Sequence, residues 1–200
     1  MIPSSFLSEL LMFTRQLIAP AFALLFAGSP AAAQSADPTT ATGLRRELIG
    51  QLADAERKFI ALAEATPADK YSWRPAAGVR SVSEVFMHMV GANYMLPGMA
   101  GVKRKPDVAM AADMEKTVTD KAQVVALLKK SFVHVKQSVM DVPDDQMDGS
   151  VNLFGSPTTN RGVLVLMATH AHEHLGQSIA YARMNGIVPP WSRGSGGGGR

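Results

Sequence analysis

Four stretches of the chain repeat apolar residues at helical spacing. From Leu44 to Ala65, the residues Leu44, Leu48, Leu52, Ala55, Phe59 and Leu62 share one face, and Pro67 stops the pattern. The second stretch opens at Ser81-Val82-Ser83-Glu84, where a serine followed three residues later by glutamate is a capping-box signature. Val82, Val85, Phe86, Met89 and Val90 supply its apolar content, and Pro97-Gly98 marks its predicted end. The third starts near Thr119-Asp120, carries Val124, Leu128, Phe132, Val135, Val139 and Val142, and stops at Pro143. The fourth runs from Asn160 to Asn185, with Gly186 and Pro189-Pro190 beyond it. Its inward row reads Val163, Met167, His170, His174, Gln177, Tyr181. Four such helices predict an all-α fold, a four-helix bundle. The connection from Asp148 to Pro157 reads as an irregular loop or a short hairpin, so little regular sheet is expected.

The ends of the chain have a different character. Arg15 precedes the apolar run Leu17 to Ala27, which is followed by Gly28-Ser29-Pro30 and the small-residue pattern Ala31-Ala32-Ala33. This is the arrangement of a secretory signal, with cleavage expected after Ala33 and either Met1 or Met12 as initiator. The run is too short to span a bilayer comfortably, so no stable membrane insertion is expected once it is removed. The predicted organisation is a signal peptide at 1–33, a polar linker at 34–42, the bundle at 43–192 and a Gly-rich tail at 193–200. The expected location is secreted or periplasmic. The chain contains no cysteine, so stability after export rests on packing and on any bound metal, and no thiol of its own can act as nucleophile.

Composition narrows the function classes. With 46% apolar and 18% charged residues the chain has the make-up of an ordinary globular domain with a real core. A net charge of +3, without a basic cluster interleaved with aromatics, argues against nucleic acid as a partner. Lys103-Arg104-Lys105 is the densest basic run and reads as a solvated loop.

The chemistry concentrates in Thr169-His170-Ala171-His172-Glu173-His174-Leu175-Gly176-Gln177, which holds three of the five histidines. Residues four apart on a helix lie one turn above each other, so His170 and His174 point the same way, while His172 is rotated by roughly 200° from His170. Two imidazoles thus stand where a bundle buries Leu or Val, and burial of polar groups is costly without partners. A shared divalent ion is one solution; core histidines bonded to carbonyls or carboxylates are the other, and spacing alone leaves both open. His88, beside the apolar stripe of Val85 and Met89, is the natural third ligand. His134 reads as an ordinary, partly exposed side chain, and His172 as a surface or supporting residue. The zinc-protease motif is absent, because Glu173 directly precedes His174 instead of following His170. Glu84 is accounted for by capping; Gln177 either supports the site or bonds across the bundle. No residue stands out as a catalytic base.

The chain also resembles the DinB-like family of metal-binding four-helix proteins. Four places carry the likeness: Trp73-Arg74-Pro75 with Arg80-Ser81-Val82 leading into the second helix; His88 where that helix supplies its histidine; His170-x-x-x-His174-Leu-Gly-Gln177; and the exit Tyr181-Ala-Arg183-Met-Asn-Gly186-Ile-Val-Pro-Pro190. The resemblance implies a three-histidine site at His88, His170 and His174 for a divalent ion, commonly nickel or zinc. It implies a metal-dependent enzyme of the hydrolase or transferase type, since relatives with an assigned activity include thiol-dependent transferases and isomerases. Export counts against a cytosolic thiol cofactor, so a non-catalytic exported metal-binding or stress-related protein is the alternative. A small-molecule substrate is the expected partner of the enzyme, and a homodimer is admitted as an assembly.

Overall fold

The computed structural model describes residues 37–102 and 111–193. The signal segment, the first residues of the linker, Lys103-Arg104-Lys105 and the tail from Gly194 onward lie outside the described residues. Four long helices carry the fold: α1 (Gly43–Ala65), α2 (Val82–Met99), α4 (Lys121–Asp141) and α5 (Asn160–Met184). A single-turn helix, α3 (Met114–Thr117), and a hairpin of β1 (Ser150–Leu153) with β2 (Ser156–Thr159) complete it. Helix α1 packs on α4 and α5, and α2 packs on the same two, so the four helices ring one core with α1 diagonal to α2. No helix among the described residues is long and apolar enough to cross a membrane.

Three of the long helices, α2, α4 and α5, begin on a side-chain cap. The capping box of α2 is formed in both directions: Ser81 N donates to Glu84 Oε2 at 2.8 Å, and Glu84 N to Ser81 Oγ at 3.3 Å. Asp120 caps α4 by accepting from Gln123 N at 2.8 Å, and Thr159 caps α5 by accepting from Gly162 N at 3.1 Å. Gly186 closes α5 at φ 72°, a conformation that a side chain would resist. The predicted stripes of α1 and α4 are buried, including Leu52, Phe59, Leu128 and Phe132. Leu44, in the first turn of α1, is the exception at 39% exposure.

Three expectations need correction. Helix α2 does not stop at Pro97 but runs through it to Met99, and its last turn closes by Ala100 N donating to Pro97 O at 3.0 Å. The all-α class is qualified: of the two forms expected for Asp148–Pro157, the hairpin is the one present, with Val151 opposite Thr158 and Leu153 opposite Ser156, so the fold is mostly helical but not purely so. Its two-residue loop, Phe154-Gly155, has φ of 51° and 91°, positive at both central positions as tight hairpin turns require. The third correction is His134, which is buried rather than partly exposed. Because α4 packs on both α1 and α2, a second row, Ser131, His134 and Ser138, turns inward beside the apolar stripe. That row meets α2, where Asn93 Nδ2 donates to Ser131 Oγ at 3.1 Å and the Tyr94 ring lies 4.6 Å from the His134 ring.

Candidate metal centre

The segment between α1 and α2 is pinned before it reaches the site. Tyr71 Oη donates to Ala63 O at 2.8 Å, Ser83 N to Tyr71 O at 2.9 Å and Val82 N to Trp73 O at 3.0 Å. Trp73 packs edge-on against Tyr181 with ring centres 5.4 Å apart, and Tyr181 Oη donates to Arg80 O at 3.2 Å. The start of α2 is thereby registered against α5, which fixes the height of His88 relative to His170 and His174.

The three imidazoles converge. His88 on α2 and His170 on α5 bring their Nε2 atoms within 3.3 Å. Ring centres are 4.5 Å apart for His170 and His174, 4.6 Å for His88 and His174, and 5.2 Å for His88 and His170. One nitrogen from each of the three lies within 4.8 Å of the others, and none of the three rings is exposed. His88 and His170 form part of the wall of a cleft of about 700 Å³ bounded by α2, α3, the hairpin and α5.

The sequence profile of the DinB superfamily matches residues 51–178, a span that contains all three histidines. The chain belongs to the DinB superfamily. It is similar to the uncharacterized protein YjoA of Bacillus subtilis (strain 168), 26% identical over 129 residues that cover 62% of this chain and 80% of that protein. Among solved structures, a DinB-like protein from Bacillus cereus superposes with a TM-score of 0.62 at 17% identity, covering 72% of this chain and 95% of that one. The YjoA structure gives 0.56 at 22% identity, with 71% and 93% covered. A conserved protein from Enterococcus faecalis gives 0.59 at 15% identity, with 72% and 98% covered. These structural likenesses bear on the fold, and they agree with the DinB-like architecture expected from the sequence.

In this DinB-superfamily chain the donor set fits a divalent ion on its own chemistry. Zinc–nitrogen bonds of about 2.0–2.1 Å in tetrahedral array place neighbouring ligand nitrogens about 3.3–3.4 Å apart, and the Nε2 atoms of His88 and His170 are 3.3 Å apart. The outward nitrogens of two rings are already engaged. His88 Nδ1 donates to Glu115 Oε2 at 3.2 Å, and His174 Nδ1 donates to Gln177 Oε1 at 2.8 Å, which leaves the lone pair of each Nε2 available to a metal ion. Gln177 is held in its turn, donating through Nε2 to Tyr181 Oη at 3.1 Å. Burial, then the neighbouring His174 and His88, pushes the His170 pKa down to about 4. Burial likewise lowers His88, with the Arg80 and His174 charges adding to it and Glu115 opposing. Both rings are therefore neutral at pH 7, the form that ligates metal.

Glu115 is the functional residue that sequence reasoning missed. Burial alone would raise its carboxyl, but the hydrogen bonds and charges of Arg80, followed by those of His88, hold it below the ordinary carboxylate range. Arg80 Nε donates to Glu115 Oε1 at 2.7 Å. Glu84 completes the helix cap, as the capping-box signature implies, and pairs with Arg74 at 3.0 Å. Gln177 resolves as a support of the site. His134 lies apart from the cluster, against Tyr94. His172 also stays outside it, half-buried, with an enclosed Nε2 that has no hydrogen-bond partner among the described residues. Glu173 is exposed.

Proposed function

We propose that this DinB-superfamily chain is a metal-dependent enzyme of the hydrolase or transferase type that holds one divalent ion on His88, His170 and His174. The observation that carries the reading is the pairing of three convergent imidazoles with a cleft that opens directly onto two of them. No fourth His, Cys, Asp or Glu joins the group among the described residues, which is the pattern of a site that receives substrate rather than one closed for structure. Neutral imidazole donors suit zinc and nickel. Bound there, such an ion supplies Lewis acidity to a polar group of the substrate.

The chain's own residues do the positioning. Glu115 fixes the tautomer and tilt of His88, and Gln177 does the same for His174. Tyr181 ties Gln177 to the backbone of Arg80, so the supports from α5 and from the entry to α2 are one connected network. Glu115 is committed to Arg80 and His88, which sets it up as a support and not as a proton shuttle. The site's partner is a small molecule. On this reading the enzyme works after export, in keeping with the apolar run and Ala31-Ala32-Ala33 at the start of the chain.

The test is turnover. Zinc- and nickel-loaded protein, incubated with ester, amide and thiol-transfer substrates, should convert one class, and the His170→Ala, His174→Ala double variant should not. Stoichiometric metal with no conversion of any class would overturn the enzyme and favour a metal-binding protein.

A further inference from the structure

The cleft beyond the three histidines is built from apolar side chains. Met95 and Leu96 of α2, Met114 of α3, Leu153 and Phe154 of the hairpin and Leu166 of α5 are the large apolar side chains along its described wall, beside Met87 and small residues such as Ala92. The two charged residues in that wall, Arg80 and Glu115, are bonded to each other and stand at the histidine end. The cleft therefore has one polar end, where the imidazoles converge, and an apolar body. Its volume, about 700 Å³, is that of a pocket for a drug-sized molecule.

Phe154 marks the apolar body as a binding surface. It occupies the first position of the hairpin turn at φ 51°, in the left-handed region that disfavours bulky side chains. Asn or Gly would serve this turn without strain, and Asn152 already assists it by accepting from Gly155 N at 2.8 Å. Phe154 is nonetheless 68% exposed, so neither the turn nor the core gains from its ring. Met95, also on the cleft wall, is 47% exposed. The hairpin beneath is not loose: Val151 and Leu153 pack on the core, and β1 contacts both α2 and α5. The packed hairpin thus holds a strained, exposed aromatic on the wall of a cleft that also includes the adaptable side chains of Met87, Met95 and Met114. Strain retained at an exposed aromatic on a cleft wall is what a binding site explains and a folding role does not.

We propose that the site takes an amphiphilic small molecule, an acyl or aryl compound whose single polar group reaches the histidine end while its apolar body lies between Phe154 and Met95. This rests on the reading of the three histidines as the metal site, and it adds the chemical class of the substrate.

Straight-chain alkyl hydroxamates from two to eight carbons, bound to zinc-loaded protein, test it directly, with n-alkanols on metal-free protein as a second ladder. Affinity should rise about three- to fourfold per added methylene over the first several carbons in both ladders. Phe154→Asn should bind octanohydroxamate about tenfold more weakly and acetohydroxamate as the parent does, while unfolding at a denaturant concentration equal to or above the parent's, since Asn relieves the turn. Acetohydroxamate bound but no gain with chain length would overturn the substrate class and leave the metal site standing. Failure to hold zinc would overturn the metal reading, and the alkanol ladder would then decide the cleft by itself. A Phe154→Asn variant that binds the long chains like the parent, or that loses stability, would remove Phe154 from the site.

Discussion

Replacing Glu115 by Gln removes one charge at the site and little else. The carboxylate accepts from Arg80 Nε on Oε1 at 2.7 Å and from His88 Nδ1 on Oε2 at 3.2 Å, and Oε2 also receives Arg80 Nη2 at 3.4 Å. Gln can accept through one oxygen only, and Arg80, the shorter bond, keeps it. His88 then loses the anchor of its tautomer and the one neighbour that holds its basicity up against burial, Arg80 and His174. Outer partners of metal-bound histidines are worth about 10–100-fold in affinity, or roughly 1.4–2.7 kcal/mol. The side chains of His88 and Glu115 are 25% and 31% exposed, so water screens part of the effect and the lower end applies. The expected loss is about tenfold, or ~1.4 kcal/mol.

Competition against a chromophoric zinc chelator at fixed pH reads that loss, and urea unfolding of the metal-free variant checks that the fold is kept. A double-mutant cycle locates its origin. With His88 already replaced by Ala, Glu115→Gln should change the remaining affinity by less than about twofold. Parent-like affinity in Glu115→Gln would refute the orienting role. An equal tenfold loss in the His88→Ala background would show that the carboxylate acts through its charge at a distance and not through His88.

Phe132→Ala should cost about 3–5 kcal/mol in reversible unfolding, since the ring is fully buried and lies 5.7 Å from that of Phe59; a loss below about 1 kcal/mol would mean that the α1–α4 face carries little of the core. In the metal-free protein His170 binds its proton with a pKa of about 4, against 6.5 for an ordinary histidine. Between those values the unfolded chain takes up more protons than the folded one, so stability is full above about pH 6.5, falls as pH drops through the window and levels off below 4. The undiscounted shift corresponds to ~3 kcal/mol, and for a half-buried ring about 1–2 kcal/mol is expected from urea unfolding at pH 7.5 and 4.5; His170→Ala should flatten that difference, and an unchanged pH profile in the variant would refute it. His134→Ala should cost on the order of 2 kcal/mol, because it empties a buried position against Tyr94, while zinc content stays at the parent level; a parent-like unfolding midpoint would contradict the packing.

What the sequence disclosed follows from periodicity. His170 and His174 were legible because a helical row ties them to Met167 and Tyr181, and both of those residues are buried as the row requires. The capping box of α2 was legible because its two bonds are local. Glu115 was not, since it sits on a single-turn helix whose approach to His88, 27 residues away in the chain, is set by the tertiary path. His134 was misplaced because an apolar stripe indicates one neighbour, whereas α4 touches two helices and buries a second row made of Ser and His. Phe154-Gly155 has none of the usual turn chemistry at its first position, so a hairpin and an irregular loop looked alike until the pairing of β1 with β2 decided between them. Pro97 signalled a helix end, yet near the C-terminus of α2 the one hydrogen bond it removes is too little to unwind the last turn.

Metal titration of the purified protein tests most directly whether His88, His170 and His174 hold one divalent ion. Zinc or nickel, added to metal-free protein and measured after removal of free ion, should be retained at about one per chain. Single replacement of any of the three by Ala should strongly reduce retention, and His134→Ala and His172→Ala should leave it unchanged. Retention should also fall as acid protonates the imidazoles. Stoichiometric metal in the His170→Ala, His174→Ala double variant, or its loss in His172→Ala alone, would contradict the assignment.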